Sequence, residues 1–327
     1  MSWLSDEAIS RLQSASALPD LSGTRYRLVE RVGSGGMGTV YAAEDSILGR
    51  RVALKILDPP DASGELAERL RREAHILARL EHPGIVPVHD AGTLADGRTF
   101  YAMKFVEGRR LDRWIERVDS LADRLRIFQR ICDAVAFAHA RGVLHRDLKL
   151  ENIMVGPFGE VLVMDWGIAK ILSPRSEDLE KPKIGGRTTV SAELPVAPPV
   201  ETAHGAVLGT AGYMSPEQAR GEVENLDARS DIFSLGAILQ FLIPDSAARP
   251  LAAIARKAMA RDPAGRYTSA TELALDTALF LDGLPVSAYP ENVFQRAARW
   301  ASRYRVAIVL VLTYLVVRAI LLLWFRR

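Results

Sequence analysis

Cysteine is almost missing from this sequence. Cys132 is the only one, so no internal disulfide can form. Its place within the apolar pattern IFQRICDAVAFAHA makes it a small core residue suited to a reducing cytosol. Net charge is equally scarce: 42 Lys and Arg against 40 Asp and Glu leave +2 over 327 residues. That balance supplies no general basic field, and no nucleic acid is expected as a partner. No segment repeats at a fixed period. The pattern GxxxxGK[ST] does not occur, which removes support for a P-loop nucleotidase. The first residues, MSWLSDEAISRL, lack a basic stretch followed by an apolar run and a small-residue cleavage site, so a secretory signal is not expected.

What is present has a clear order. The length fits either one large two-lobed domain with appendages or two smaller domains. Residues 1–25 read as a solvated N-terminal tail, with a short amphipathic stretch at Leu4 to Leu12 and the linker SASALPDLSGT. From Tyr26, the segments YRLVERV, TVYAAED and RVALKIL are short, β-prone and separated by turn residues, as in an antiparallel meander. A helix is expected from about Glu65 to Leu80. After Leu111, LADRLRIFQRICDAVAFAHARG carries apolar residues at three- and four-residue intervals and stops at Gly142. A small β-rich lobe therefore precedes a helical one. Between Ser173 and Val207 the chain is rich in Pro, Ser, Thr, Glu and Lys, which predicts a long loop. Helical patterning resumes at Ser215 and runs to Gly283.

Several motifs carry chemistry. Gly33-Ser34-Gly35-Gly36-Met37-Gly38-Thr39-Val40 is a GxGxxGxV loop, whose glycines let backbone N–H groups approach phosphate oxygens. Alone it could be a glycine-rich hairpin or a dinucleotide fingerprint. The latter needs a helix next, and TVYAAED reads as a strand. Lys55, in Val52-Ala53-Leu54-Lys55, sits on a strand whose neighbours should be buried, so it needs a partner. Glu73, in RREAHILARL, can pair with it from a helix and hold the ammonium against α- and β-phosphates. His145-Arg146-Asp147-Leu148-Lys149-Leu150-Glu151-Asn152 puts a carboxylate, an ammonium and a carboxamide on one loop. Asp147 can accept or orient the proton of an attacking hydroxyl, Lys149 can neutralise a transferred phosphoryl group, and Asn152 can give magnesium an oxygen. Asp165, delivered by the buried strand Val161-Leu162-Val163-Met164, is a second hard ligand.

This ordered set resembles the eukaryotic-type serine/threonine protein kinases, especially the bacterial form, over roughly residues 26 to 283. The resemblance implies an α+β, two-lobed protein kinase fold. Its N-lobe covers about 26–106 and its C-lobe about 107–283, with an activation segment at 165–217. It implies ATP and Mg2+ as cofactors, with Mn2+ as a substitute, and protein substrates bearing Ser or Thr. By resemblance, Gly33, Ser34, Gly35, Gly36, Met37, Gly38, Val40, Ala53 and Lys55 line the nucleotide site. Met103 is the gatekeeper, and Lys104 to Val106, including Phe105, form the hinge that meets adenine. Ser215-Pro216-Glu217 ends the activation segment, Asp231 holds the catalytic loop's backbone, and Arg266 pairs with Glu217. Lys149, and Gly209-Thr210 before Tyr213, resemble the serine/threonine class rather than the tyrosine class. The segment GTAGYMSPE resembles a peptide-facing loop, which disfavours a small-molecule kinase. The competing reading is a pseudokinase scaffold.

The sequence departs from the family pattern in four places. Asp165-Trp166-Gly167 replaces Asp-Phe-Gly but keeps the carboxylate and a packing aromatic, so activity should survive. Lys104 stands where relatives carry an acidic residue, leaving main-chain contacts to adenine unaffected. The activation segment is long and carries Thr188, Thr189, Ser191 and Thr202. A phosphate there could be received by Arg146 and order the loop. After FSLGAILQFL the chain passes through IPDSAARP straight to LAAIARKAMARDPAGRY, so a docking surface is reduced and autophosphorylation, through a dimer acting in trans, gains weight.

Beyond a basic linker at 284–305, residues 306–325 read VAIVLVLTYLVVRAILLLWF. About 20 helical residues at 1.5 Å each span a hydrocarbon core of about 30 Å. Fourteen Leu, Ile, Val and Phe residues contribute about −4 to −8 kcal/mol, against about +2.5 to +3.5 for Arg318, which lies off centre and can snorkel. A transmembrane helix in the lipid bilayer is expected. Arg296, Arg299, Arg303 and Arg305 precede it and only Arg326 and Arg327 follow. The positive-inside tendency thus makes this a single-pass membrane protein with its kinase domain facing the cytoplasm. No extracellular sensor is expected beyond the span.

Overall fold

The computed structural model describes residues 18–35, 38–57, 64–166, 170–171, 212–222, 226–290 and 304–325. Gly36, Met37, Gly167, Thr188, Thr189, Ser191, Thr202, Gly209 and Thr210 lie outside them. So do the N-terminal tail as far as Ala17, most of the activation segment and residues 291–303 of the linker.

Five strands open the chain: β1 (Tyr26–Gly35), β2 (Gly38–Asp45), β3 (Arg50–Ile56), β4 (Val88–Thr93) and β5 (Thr99–Lys104). They form one sheet in the order β1-β2-β3-β5-β4, antiparallel throughout. Period-two alternation sorts their side chains. Tyr41, Ala43, Val52, Leu54, Ile56, Phe100 and Ala102 pack with Tyr26 and Leu94 into a small core on one face. The alternate residues Val40, Ala53, Lys55, Tyr101 and Met103 take the other face. Register fixes them as neighbours, with Val40 opposite Lys55, Lys55 opposite Tyr101 and Ala53 opposite Met103.

Helix α1 (Glu65–Ala78) lies across that second face. Its first turn carries Glu65 and Glu68, which suit the positive end of the helix dipole. Its buried stripe is Leu70, Glu73, Ala74, Ile76 and Leu77, the spacing of an amphipathic helix. A glutamate within that stripe is driven inward by geometry, so it must find a cation.

The second lobe is mainly helical. After β6 (Arg109–Arg110) come α2 (Leu111–Ile115), α3 (Leu121–Ala140), β7 (Val143–Leu144), a 3-10 turn at Leu150–Asn152, β8 (Ile153–Val155), β9 (Val161–Val163) and β10 (Lys170–Ile171). These are followed by α4 (Pro216–Ala219), α5 (Ala228–Leu242), α6 (Arg249–Ala258) and α7 (Ala270–Leu281). Strands β6, β8 and β9 make a small sheet, and β7 pairs with β10. Ser120 caps α3 by accepting from Asp123 N, and Gly142 follows its end at φ 73°, as left-handed C-terminal stops do. One large core joins α3, α5, α6 and α7 to β8, β9 and α1. Cys132 lies within it, fully buried, as its apolar surroundings implied.

The abrupt passage after FSLGAILQFL is visible as α5 leading into α6 through residues 243–248 alone. The Arg124 guanidinium donates to Leu242 O at 3.3 Å and to Val118 O at 2.7 Å, satisfying carbonyls at the end of α5 and before α3.

The last helix, α8, runs Arg305–Phe325. Side chains along it are described at 308–318 and at Trp324. Among the described residues no helix is long and apolar enough to cross a membrane, so the crossing expected at 306–325 is not shown.

Candidate active site

The cleft between the lobes collects the charged residues singled out by the motifs. Lys55 Nζ lies 2.8 and 3.0 Å from the two oxygens of Glu73 and 2.9 Å from Asp165 Oδ1. Burial alone would lower the lysine's pKa, but the facing Glu73 and Asp165 carboxylates raise it above the ordinary value. Burial likewise pushes Asp165 up, and Lys55 outweighs it, so the carboxylate is held below its usual range. An ionised Asp165 and a charged Lys55 follow. The Tyr101 hydroxyl donates to Glu73 Oε1 at 2.8 Å.

On the catalytic loop, Lys149 Nζ sits 2.8 Å from Asp147 Oδ2. The Asn152 side-chain nitrogen donates to Asp147 O at 2.8 Å and Oδ2 at 3.2 Å. That assignment turns the Asn152 amide oxygen away from Asp147 and leaves it for a cation. Met164 N donates to Asn152 O at 2.8 Å, which ties the loop to the strand that delivers Asp165. Among the described residues no group of three or more His, Cys, Asp or Glu is placed to hold a metal ion. Two oxygen donors, Asn152 and Asp165, fit Mg2+, which retains water and phosphate oxygens among its ligands.

Among the described residues two non-glycines carry left-handed backbone: Arg146 at φ 69° and Asp165 at φ 61°. Such conformations cost free energy and persist where surroundings over-determine them. The surroundings here are explicit. Asp231, in the first turn of α5, accepts from His145 N and Arg146 N, both at 2.8 Å, and lies 2.7 Å from His139 Nε2. Burial pushes Asp231 up, but these donors, with His139 foremost, bring it below the ordinary aspartate value. The Gln218 side chain donates to Arg146 O at 2.8 Å. The imidazole of His145 packs at a tilt of 50° against Trp166 with ring centroids 4.5 Å apart, and Trp166 Nε1 donates to Val163 O at 3.3 Å. The tryptophan is fully buried, so the larger aromatic after Asp165 finds both a packing site and a hydrogen-bond acceptor.

The glycine loop divides into two kinds of position. At Gly33 and Gly35 an added Cβ would meet nothing within 4 Å among the described residues, so their packing does not require glycine there. At Gly38 the Cβ would fall 2.2 Å from Ile56 O, and φ is 133°. That glycine lets β2 approach β3. Ser34 is exposed beside Gly33 and Gly35. In the hinge, Lys104 N donates to Pro87 O at 3.1 Å, and the Arg51 guanidinium lies 4.4 Å from the Phe105 ring centroid. Val106 packs on the large core.

Away from the cleft, Arg266 donates to both Glu217 oxygens at 2.6 and 2.8 Å, and Ser230 Oγ donates to Glu217 Oε1 at 2.9 Å. Ser215 and Gln218 form a reciprocal capping box on α4, with Pro216 in its first turn.

Sequence reasoning missed Tyr101, His139 and Gln218. Tyr101 could have been found from period two, since it lies two residues before Met103 and shares its face. His139 lies eight residues before Asp147 on α3 with nothing local to mark it. Gln218 follows from the S-x-x-Q capping pattern, but its bond to Arg146 O needs the tertiary fold.

Comparison with known proteins agrees with this geometry. A family model described as the protein kinase domain matches residues 26–268. The serine/threonine-protein kinase PknD of Protochlamydia amoebophila is 32% identical over 324 residues, covering 84% of this chain and 32% of that protein. PknD of Chlamydia trachomatis serovar D is 36% identical over 306 residues, covering 80% of this chain and 32% of its own length. The chain thus spans about a third of the length of these curated relatives. Among solved structures, the Mycobacterium tuberculosis PknI kinase domain superposes with a TM-score of 0.54 at 24% identity, covering 80% of this chain and 98% of that one. This likeness shows the two-lobed fold.

Proposed function

The chain belongs to the protein kinase family, and from that premise we propose that it transfers the γ-phosphoryl group of ATP to serine or threonine hydroxyls of proteins, its own included. One observation carries the reading: Lys55 is held between Glu73 and Asp165 on the same cleft as the Asp147–Lys149 pair. Catalysis of this kind is mostly positioning and charge stabilisation. Lys55, oriented by Glu73, holds the α- and β-phosphates. Asp147 orients the attacking hydroxyl and takes up its proton, and Lys149 offsets charge on the transferred group. Asn152 and Asp165 would hold Mg2+, whose charge would offset that of the phosphates. The open space beside Gly33 and Gly35 lets backbone N–H groups reach the nucleotide, while Ala53 and Met103 line the adenine side and the main chain at 104–106 meets its edge.

The deciding assay is incorporation of radiolabelled phosphate by the full chain and by Asp147→Asn. Labelling by wild type at least about a hundredfold above the variant is expected for loss of a general base. Equal, background-level labelling would point to a scaffold instead. Mixing wild type with Asp147→Asn tests the dimer, because label on the inactive copy requires transfer in trans.

Regulation through the activation segment is part of the same proposal. Buried Nε and Nη2 of Arg146 lack a hydrogen-bond partner among the described residues, which suits a guanidinium awaiting a phosphate. Mass spectrometry of ATP-treated protein should find modification among Thr188, Thr189, Ser191 and Thr202. An unmodified loop in fully active enzyme would sink this part.

A membrane anchor at 306–325 completes the reading. Val309, Leu310, Val311, Leu312, Tyr314, Leu315, Val316 and Val317 are exposed on α8 beside Thr313 and Arg318, a mostly apolar surface that suits contact with lipid. The arginines before it put the kinase on the cytosolic side. Detergent-dependent recovery of the full chain, lost on truncation at Tyr304, is the expected result. Identical behaviour of both in the soluble fraction would remove the anchor.

A further inference from the structure

Glu73 Oε1 accepts from two donors of different character: the Lys55 ammonium at 2.8 Å and the Tyr101 hydroxyl at 2.8 Å. The lysine is shared, since it also pairs with Asp165. Tyr101 stands on β5, 2% exposed, between β3 and β4 in the sheet. Its ring centroid lies 5.8 Å from Lys55 Nζ. Burial and the neighbouring Glu73 charge push its phenol well above the ordinary value, so it remains a donor.

We propose that Tyr101 is a positioning residue, a latch from β5 that holds Glu73, and with it α1, against the sheet so that the carboxylate stays aimed at Lys55. The inference rests on the reading of Lys55 as the group that holds phosphate. A lysine that turns towards phosphate loosens its grip on Glu73. The tyrosine bond does not depend on nucleotide, and it keeps α1 where the lysine needs it. Were α1 to move outward, the Tyr101 hydroxyl would stay buried without its acceptor, a state that folded proteins avoid. The inward position of α1 is therefore favoured by the fold itself, before any ligand binds.

Tyr101→Phe removes one oxygen and keeps the ring beside Lys55. The full chain and this variant are compared by amide hydrogen exchange without nucleotide and by steady-state kinetics with Mg-ATP and dephosphorylated casein. Loss of one buried hydrogen bond should speed exchange through Glu65–Ala78 about tenfold, leaving Ala228–Leu242 unchanged. It should also lower kcat/KM for ATP about tenfold at constant KM for casein. In a Glu73→Ala background Tyr101→Phe should change neither. Wild-type exchange in α1, an unchanged kcat/KM for ATP, or an equal effect in the Glu73→Ala background would each overturn the proposal. A wild type that labels neither casein nor itself would defeat the kinase reading, while the exchange arm would still decide whether the latch exists.

Discussion

Lys55 from the β lobe and Asp165 from the helical lobe meet at 2.9 Å, so one ammonium bridges two halves of the cleft while also neutralising Glu73. Both Lys55 and Glu73 are buried, and removing the cation leaves the Glu73 charge with the Tyr101 hydroxyl but no counter-charge, facing the half-exposed Asp165. Breaking a buried pair from one side typically costs about 3–5 kcal/mol.

Lys55→Met should therefore abolish phosphate transfer and also lower the melting temperature. Adding Asp165→Asn should restore part of the lost stability and none of the activity, because it removes one of the stranded charges together with a metal ligand. Calorimetry and labelling of the single and double variants check both halves. A double variant less stable than Lys55→Met would show that the bridge contributes nothing.

Gly38 and Gly33 should respond differently to alanine. At Gly38 the new methyl meets Ile56 O at 2.2 Å in a backbone with φ 133°, so the β2–β3 pairing must shift, and a loss of about 2–4 kcal/mol is expected. At Gly33 nothing among the described residues lies within 4 Å of the new methyl, and stability should change by less than about 0.5 kcal/mol, while KM for ATP rises if the nucleotide needs that space. Thermal melts and ATP titrations separate the two. Equal destabilisation at both sites would contradict the division of the loop.

The contrast between these glycines shows where sequence was informative. The GxGxxGxV pattern marked both, because motif spacing is local, yet only register against β3 reveals which one the fold itself requires. The sequence offers Glu73 as a candidate partner for Lys55, because a lysine among buried strand neighbours needs one, and the two meet at 2.8 Å. Their third partner, Asp165, was read as a metal ligand only, since nothing local joins strand end to lysine across the cleft. His139 stayed invisible for the same reason. Its contact with Asp231 spans two helices far apart in sequence, and one histidine in a helix carries no sign of it.

Trp166 tests the most visible local departure. The indole is fully buried, packs at a tilt against His145 and donates to Val163 O. Trp166→Phe retains an aromatic and loses the donor, so a cost of about 1 kcal/mol is expected, with transfer activity within about threefold of wild type. Trp166→Ala empties the site and should cost about 3–5 kcal/mol. Denaturant melts beside the labelling assay would show it. A phenylalanine variant as damaged as alanine would mean that the indole is required for more than packing.

The buried Glu217–Arg266 pair predicts a pH dependence whose sign can be worked out. Burial raises the Glu217 pKa, but hydrogen bonds led by the Arg266 guanidinium more than reverse this, bringing it from 4.5 to about 2. A carboxyl depressed on folding binds its proton more readily in the unfolded chain. Its stabilising contribution is complete above about pH 4.5 and is lost as pH falls towards 2. Glu217→Gln removes the titrating group and leaves Arg266 buried without its counter-charge. The variant should be less stable than wild type at pH 7 by about 3–5 kcal/mol, and the gap should narrow as pH falls from 4.5 towards 2. Urea midpoints across that range, taken on both proteins, measure the slope difference directly. Parallel curves would mean that Glu217 titrates as it does in the unfolded chain, and that its two bonds to Arg266 do not discriminate between the charged and neutral carboxyl.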